Sequence, residues 1–562
     1  MPVITLNNPI KCHCSCGKLV EGKGWWESTN RRIYIPGHFI KDLDLSGFGS
    51  PRLQLYPYQV DGVKYGLDKR RCLIAFAMGL GKTASSLGIA HVLQPWPILI
   101  MAPSIAKYNW ARHILGFPQI DRDPWLPYIA PEEIGILEGL TPTDLPSLKI
   151  VIINYDILSP TFTTTGWGNK KKKMPGWQDV LSDYGFKMVI IDESHYLKSP
   201  KANRTLATKA ITKGIPTVIG LTGTPFPNKV KEIMPQLDIL RRLDDFGGYH
   251  TFSKNFCAGH WQNIGHKKIW FIDGSSNLAV LNDQLRSICM IRREKHEVLT
   301  DLPSLTRNPI LMQLDNQSEY DRAERDLAKW IGEKKAEDVA FLASISYLPI
   351  LKQKQLKLQY AHSAEQKARG REQLLKFIYL KKLSAEGKMK QVIEWSQEFI
   401  DSGEKLVLFA WHQSIQKALW EGLQNNKYVV TRISAENRDE IQAAQDAFQL
   451  DEGVKIIVCS IPMASEAIDL YAASNLLSTE WSFSPGKQEQ YESRVHRNGQ
   501  VNPVVSHYAM GIGTIDEITI DKLDLKAIVT TMATSGIDLV GGEENIINHL
   551  VGHLYQKYKE KL

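Results

Sequence analysis

Short, unbroken apolar runs recur through the first half of the chain, at 72–75, 98–101, 150–153, 188–191 and 218–221, and each gives way to glycine or polar residues. Runs of this length, with amphipathic stretches between them, predict buried parallel strands wrapped by helices from about residue 55 to 240. The pattern then changes. Residues 310–400 are long, charged and helical in spacing, with Leu and Ile three and four positions apart. A second strand series opens at 405–410, continues at 454–458 and ends near Val504 and Val505. The expectation is an α/β protein of two parallel-sheet lobes with a helical insertion between them. Two lobes imply a cleft.

The segment Met78-Gly79-Leu80-Gly81-Lys82-Thr83 follows the first apolar run and opens an Ala/Ser/Leu-rich helical stretch. A strand, a glycine-rich turn and a helix start point backbone N–H groups and the positive end of the helix dipole at one spot, which suits polyphosphate. Lys82 would reach the β- and γ-phosphates and the Thr83 hydroxyl would ligate Mg²⁺. The full phosphate-loop spacing asks for Gly at position 76, where the chain has Phe76. A second element lies at 188–195, where four apolar residues end in Asp192-Glu193-Ser194-His195. A buried strand would deliver both acids to its C-terminal edge, with Asp192 holding Mg²⁺ and Glu193 polarising the attacking water. Together the two segments predict nucleotide hydrolysis.

A chain of 562 residues exceeds one hydrophobic core. Its composition, 43% hydrophobic and 23% charged, is that of an ordinary globular protein. No run approaches the length of a membrane span, and Met1-Pro2-Val3-Ile4-Thr5 lacks a secretion-signal pattern, so an intracellular protein without a membrane partner is expected, in cytoplasm or nucleoid, or in a host cell if viral. Cys72, Cys257, Cys289 and Cys459 make no disulfide framework. Cys12, Cys14 and Cys16 lie closer together than usual zinc ligands; free thiols in a turn are favoured over a zinc site completed by His13 or His38. The net charge of +7 is uneven: residues 351–390 hold eleven Lys/Arg against three Glu, and Lys170 to Lys173 form a second basic run in an expected loop. Both suit a polyanion, and both equally suit a solvated helix face or loop.

Further segments fall in one order. Tyr56 and Gln59 precede the phosphate loop, and a glutamine there can pair with the N6 and N7 edge of adenine. Ala102-Pro103-Ser104 with Trp110 follows the next strand, Thr222-Gly223-Thr224 ends the strand after Glu193, and Gln490-x-x-x-Arg494-x-His496-Arg497-x-Gly499-Gln500 comes late in the chain. This ordered set resembles the superfamily 2 helicase-type ATPases, within them the Swi/Snf-related DNA translocases, and most of all their HepA-related annealing-helicase branch. Met290 to Leu299 with Leu302-Pro303 looks like that family's junction after the first lobe, and Trp481, Pro485 and Thr514 to Glu517 extend the likeness through the second.

The resemblance implies two RecA-like lobes: an accessory segment over 1–50, lobe 1 over 51–300, the helical insertion and linker over 301–395, lobe 2 over 396–530 and a helical tail over 531–562. It also implies roles. Gln59 would read adenine with Tyr56 near the base; Gly79, Leu80, Gly81, Lys82 and Thr83 would bind phosphates and Mg²⁺, and Gln490 joins the nucleotide-binding set. Thr222, Gly223 and Thr224 would couple ATP state to DNA contacts. Arg494 and Arg497 fit the arginines of the family's last motif, one of them acting as an arginine finger on the γ-phosphate, delivered when the cleft closes. Ser104, Lys107, Trp110 and Lys198 are candidates for touching DNA.

Two departures stand out. Ala75-Phe76-Ala77-Met78 lacks the acids the family carries before its loop, and Met463 to Leu470 replaces a glycine-rich segment of lobe 2 with one that has no glycine. The function implied is an ATP- and Mg²⁺-dependent, monomeric motor moving along double-stranded or branched DNA. A strand-separating DNA or RNA helicase and a non-catalytic nucleic-acid scaffold are the alternatives.

Overall fold

The computed structural model describes residues 43–519 except 50–52, 117–122, 160, 166–169, 175, 227–228, 265–266, 299–302, 362, 425–428, 465–467, 483–484 and 498. It also describes residues 543–559 and the strand segments 3–5, 10–11, 19–20, 23–27 and 32–34. The zinc candidates Cys12, Cys14 and Cys16, with His13 and His38, lie outside the described residues. Among those described, no helix is long and apolar enough to cross a membrane, and no cluster of metal-ligating side chains stands apart.

The chain divides into two compact units, Met1–Pro225 with Glu232–Tyr249 and Val280–Val298, and Phe226–Lys231 with His250–Ala279 and Leu299–Leu562. In the first, strands β1 (Arg71–Phe76), β2 (Ile98–Ala102), β3 (Ile134–Ile136), β4 (Ile150–Asn154), β5 (Met188–Ile191), β6 (Thr217–Leu221) and β7 (Met290–Arg293) make a seven-stranded sheet ordered 7-1-6-5-2-4-3. Every pairing in it is parallel. Strands β2, β5 and β6 at its centre are buried along their whole length and hold only Ile, Val, Leu, Met and the small residues Ala, Gly and Thr. Helices α1 (Pro57–Lys69) and α2 (Lys82–Leu93) pack on it, α2 following β1 through the glycine-rich turn.

The second unit has its own six-stranded parallel sheet. Its strands are β8 (Leu305–Met312), β9 (Leu406–Ala410), β10 (Val429–Ile433), β11 (Val454–Ser460), β12 (Asn475–Ser478) and β13 (Val504–Gly511), in the order 8-13-12-9-11-10. The expected fold class, two parallel-sheet α/β lobes, is therefore observed.

Met290–Arg293, inside the expected first lobe, is an edge strand of the first sheet, and Leu305–Met312, expected as linker, is an edge strand of the second. The helical stretch is not a free insertion. Helices α3 (Gln317–Ile345) and α4 (Ala364–Gly387) share a core with Trp481, Tyr508 and Ile515 and with Leu550 and Leu554 of α5 (Glu543–Tyr558), so the C-terminal helix is docked. Lys170–Met174 pairs with Thr161–Thr165 as a hairpin, where a loop was expected.

The basic window also folds partly inward. Lys381 and Lys388 are buried, and Arg369 pairs with Asp338 at 2.9 Å. Lys388 Nζ donates to Asp516 Oδ2 (2.5 Å), which also accepts from Ser384 Oγ (2.6 Å) and Gly511 N–H (3.1 Å), while Oδ1 accepts from the Trp481 indole (3.1 Å). Burial pushes the Asp516 carboxyl up, but Lys388 and the hydrogen bonds overcome it and hold it below the ordinary carboxylate value. This stability is present above the unfolded carboxyl's pKa, about 4, and is lost as pH falls toward the lower folded value. Asp516→Ala strands the buried Lys388 charge, and the expected loss is about 3–5 kcal/mol in the urea unfolding of the second unit; Lys388→Met placed on top recovers part of it.

Candidate functional site

The first half of the site sits at the C-terminal edge of the first sheet. Gly79 and Gly81 have φ of 82° and 70°, backbone that side chains strain to adopt, and Gly81 caps the start of α2. Gln59 braces this turn: its Oε1 accepts from Tyr56 N–H (2.9 Å) and its Nε2 donates to Leu80 C=O (3.1 Å). Gln59 and Leu80 are buried, Tyr56 is 40% exposed and stacks on Tyr58, and the expected adenine reader is thus also a strut of the phosphate loop. Lys82 Nζ lies 3.2 Å from Phe76 C=O, and the loop's Met78 packs where a Cβ on Gly223 would stand.

Strand β5 brings Asp192 and Glu193 to the same edge. Asp192 Oδ2 accepts the Trp110 indole N–H at 2.9 Å, its Oδ1 accepts Glu193 N–H at 3.0 Å, and its backbone carbonyl accepts the Tyr155 hydroxyl. Burial and the neighbouring Glu193 push the Asp192 carboxyl up to about 6, against the Trp110 hydrogen bond and the Lys82 charge, which pull it down. Lys82 and Asp192, far apart in sequence, therefore share one electrostatic neighbourhood. Glu193 takes a left-handed backbone, φ 48°, at the turn that follows β5.

Thr222, Gly223 and Thr224 meet this pair from β6. His195 Nδ1 lies 3.2 Å from Glu193 Oε2 and 3.1 Å from Thr222 Oγ1, and Thr222 Oγ1 accepts Thr224 N–H at 3.0 Å. The acid and the threonine turn thus share one histidine. Arg292 of β7 donates to the Gly223 and Ala75 carbonyls at 2.5 and 2.9 Å and pairs with Glu294 at 2.6 Å, tying that turn to the end of β1. His195, Tyr155 and Arg292 have no role assigned from sequence, because each acts through a partner that its local sequence does not mark.

Of the DNA candidates, Ser104 and Lys198 are exposed. Trp110 and Lys107 are buried and fall away as surface contacts: the indole holds Asp192, and Lys107 Nζ donates to Leu137 C=O at 2.8 Å, with burial lowering its pKa.

In the second unit, the helix Pro485–Val495 carries Gln490, which is buried, and Arg494, which is half-buried. The helix is anchored by Glu492, whose carboxylate accepts from Arg307 Nη2 (2.8 Å), Ser506 Oγ (2.9 Å) and Tyr508 Oη (2.5 Å). Burial pushes that carboxyl up, and Arg307 with the hydroxyls brings it below its ordinary value. Arg497 forms an ion pair with the buried Asp469, His496 Nε2 sits 2.7 Å from Pro303 C=O, and Gln500 Nε2 donates to Ala473 C=O at 2.7 Å. His496 and Gln500 of the late motif thus bond backbone carbonyls outside it, and Arg497 a carboxylate.

A family model described as the SNF2-related domain matches residues 17–384. The Bos taurus protein called DNA annealing helicase and endonuclease ZRANB3 is 30% identical over 490 residues, covering 86% of this chain and 41% of the relative. The Xenopus laevis SWI/SNF-related matrix-associated actin-dependent regulator of chromatin subfamily A-like protein 1 is 30% identical over 484 residues, 85% of this chain and 44% of the relative. The chain thus spans about two fifths of the length of the curated relatives it matches. A solved structure of the Sulfolobus solfataricus SWI2/SNF2 ATPase core in complex with dsDNA aligns over 86% of this chain and 94% of that one, at 20% identity and a TM-score of 0.37.

A Cβ on Gly81 would stand 2.2 Å from Gln59 Nε2 on left-handed backbone. Gly81→Ala is expected to weaken nucleotide binding roughly tenfold, from ~1–2 kcal/mol of backbone strain plus the displaced strut, read by titration with a fluorescent ATP analogue. Trp110→Phe removes the donor to Asp192 and is expected to raise the Mg²⁺ concentration needed for half-maximal ATP turnover severalfold, with DNA affinity unchanged.

Proposed function

The chain belongs to the SNF2-related family, and on that premise we propose that it is a DNA-dependent ATP hydrolase that moves along double-stranded or branched DNA. The observation that carries the reading is the convergence of the Gly79–Thr83 turn, Asp192 and Glu193 on one sheet edge, with Lys82 close enough to lower the Asp192 pKa.

The residues fit Mg²⁺-ATP: two glycines at positive φ shape the turn, with Gln59 standing where a Cβ on Gly81 would be, and a hydroxyl and a carboxylate accompany a lysine. Thr83 and Asp192 would hold the ion, which when bound would draw charge from the phosphates. Lys82 would neutralise the β- and γ-oxygens, and the N–H groups of Gly79, Leu80 and Gly81 would orient them. Glu193 would take the proton of the attacking water, held in place by His195. Through His195, Thr222 and Thr224 would feel the state of Glu193, which gives the coupling role a physical route. Gln59 and Tyr56 would bound the adenine, with Gln490 a further nucleotide contact.

Arg494 and Arg497 are both candidates for the arginine that completes the site, and Arg497 is paired with Asp469. Ser104 and Lys198 remain proposed backbone contacts. Working on DNA, the chain would act inside a cell, as a monomer, with 51–298 as its ATP-binding lobe.

Duplex DNA is expected to stimulate ATP turnover more than single strands or RNA, with apparent affinity falling steeply between two salt concentrations. Glu193→Gln should lower stimulated turnover by about 10²- to 10⁴-fold while ATP still binds, and Lys82→Ala should lower both. A preference for single strands or RNA points to the strand-separating reading instead, and unchanged turnover in both variants places the chemistry elsewhere.

A further inference from the structure

We propose that the hairpin His260–Ile264/Lys267–Phe271 is a stacking platform for unpaired bases of single-stranded DNA, an inference that rests on the DNA reading above and adds a second kind of contact to it. The hairpin pairs Trp261 with Trp270 across its strands. Trp270 is fixed from behind: its indole donates to Ser253 Oγ at 2.9 Å, and its ring meets His250 edge-on with centroids 5.7 Å apart. Trp261 packs on the edge of Trp270 at 5.2 Å and 63°, yet is 52% exposed. Lys268 lies on the same face, its ammonium 5.5 Å from the Trp261 ring centroid.

A tryptophan needed only for packing would bury its ring, because leaving so large an apolar face in water forfeits the gain of burial. Here the ring is backed by a second indole and left open. Its surroundings choose the occupant. From 246 to 272 the chain has no Asp or Glu but holds Lys254, Lys267, Lys268, three histidines and seven aromatic residues. An exposed π face with Lys268 beside it, in a stretch of chain that carries no carboxylate between Asp245 and Asp273, suits a base flanked by phosphates. Duplex bases are stacked on one another and offer no free face, so the ligand is unpaired nucleotide, as at a single-stranded tail or fork.

The test is fluorescence anisotropy of the full chain on a blunt duplex, the same duplex with a single-stranded tail, and the tail oligonucleotide alone. Wild type is expected to prefer the tailed duplex. Trp261→Ala is expected to lose that preference, roughly tenfold, with blunt-duplex affinity and duplex-stimulated ATP turnover unchanged; Trp261→Phe, which keeps a π face, is expected to retain most of it. Equal binding of the tailed duplex by Trp261→Ala and wild type overturns the platform and leaves the patch to a protein partner. Equal loss on blunt and tailed duplex also overturns it. If wild type neither binds blunt duplex nor responds to it, the translocase reading fails instead, and the tail oligonucleotide still tests the platform.

Discussion

Parallel strands covered on both faces admit few polar side chains along their length, so most of the polar groups their connections need gather at the strand ends. That constraint organises both units. After β1 comes the Gly79–Thr83 turn, after β5 Asp192 and Glu193, after β6 Thr222; in the second sheet Trp411 and His412 follow β9, and Glu480 follows β12. The chemistry is concentrated because the sheet interior excludes it. Glu480 shows the rule in structural use: it accepts the N–H groups of Trp411 and His412 at 2.8 and 2.9 Å and closes two strand ends on each other.

The same constraint decided what could be read from sequence. Central strands are unbroken apolar runs, so β2, β4, β5, β6 and β9 were legible. Edge strands escape the rule. β8 contains Thr306, Arg307, Asn308 and Pro309, which read as linker, but it pairs on one side only and its proline costs no ladder bond on the open side. β7, also at an edge, carries Arg292 and Arg293 and looked like a junction for the same reason.

Candidate residues were legible where backbone and chemistry coincide, as at Gly81-Lys82 and Asp192-Glu193. They were misread where a side chain's partner is remote. Trp110 meets Asp192 from 82 positions away, and Lys388 meets Asp516 from 128. Neither distance leaves a local mark, so an indole destined for a carboxylate looked like a surface aromatic, and a buried ammonium counted toward a basic patch. Charge tallies measure what a segment contains and not which way it faces.

Glu492 gives the arginine-bearing helix an unusual mechanical property. Tied to Arg307 on β8 and to Ser506 and Tyr508 on β13, Pro485–Val495 has little play of its own. Like a tooth cut into a gear rather than pinned to it, Arg494 travels only as far as the sheet beneath it does. Removing the Glu492 carboxylate would therefore introduce backlash between the helix and the two strands that hold it.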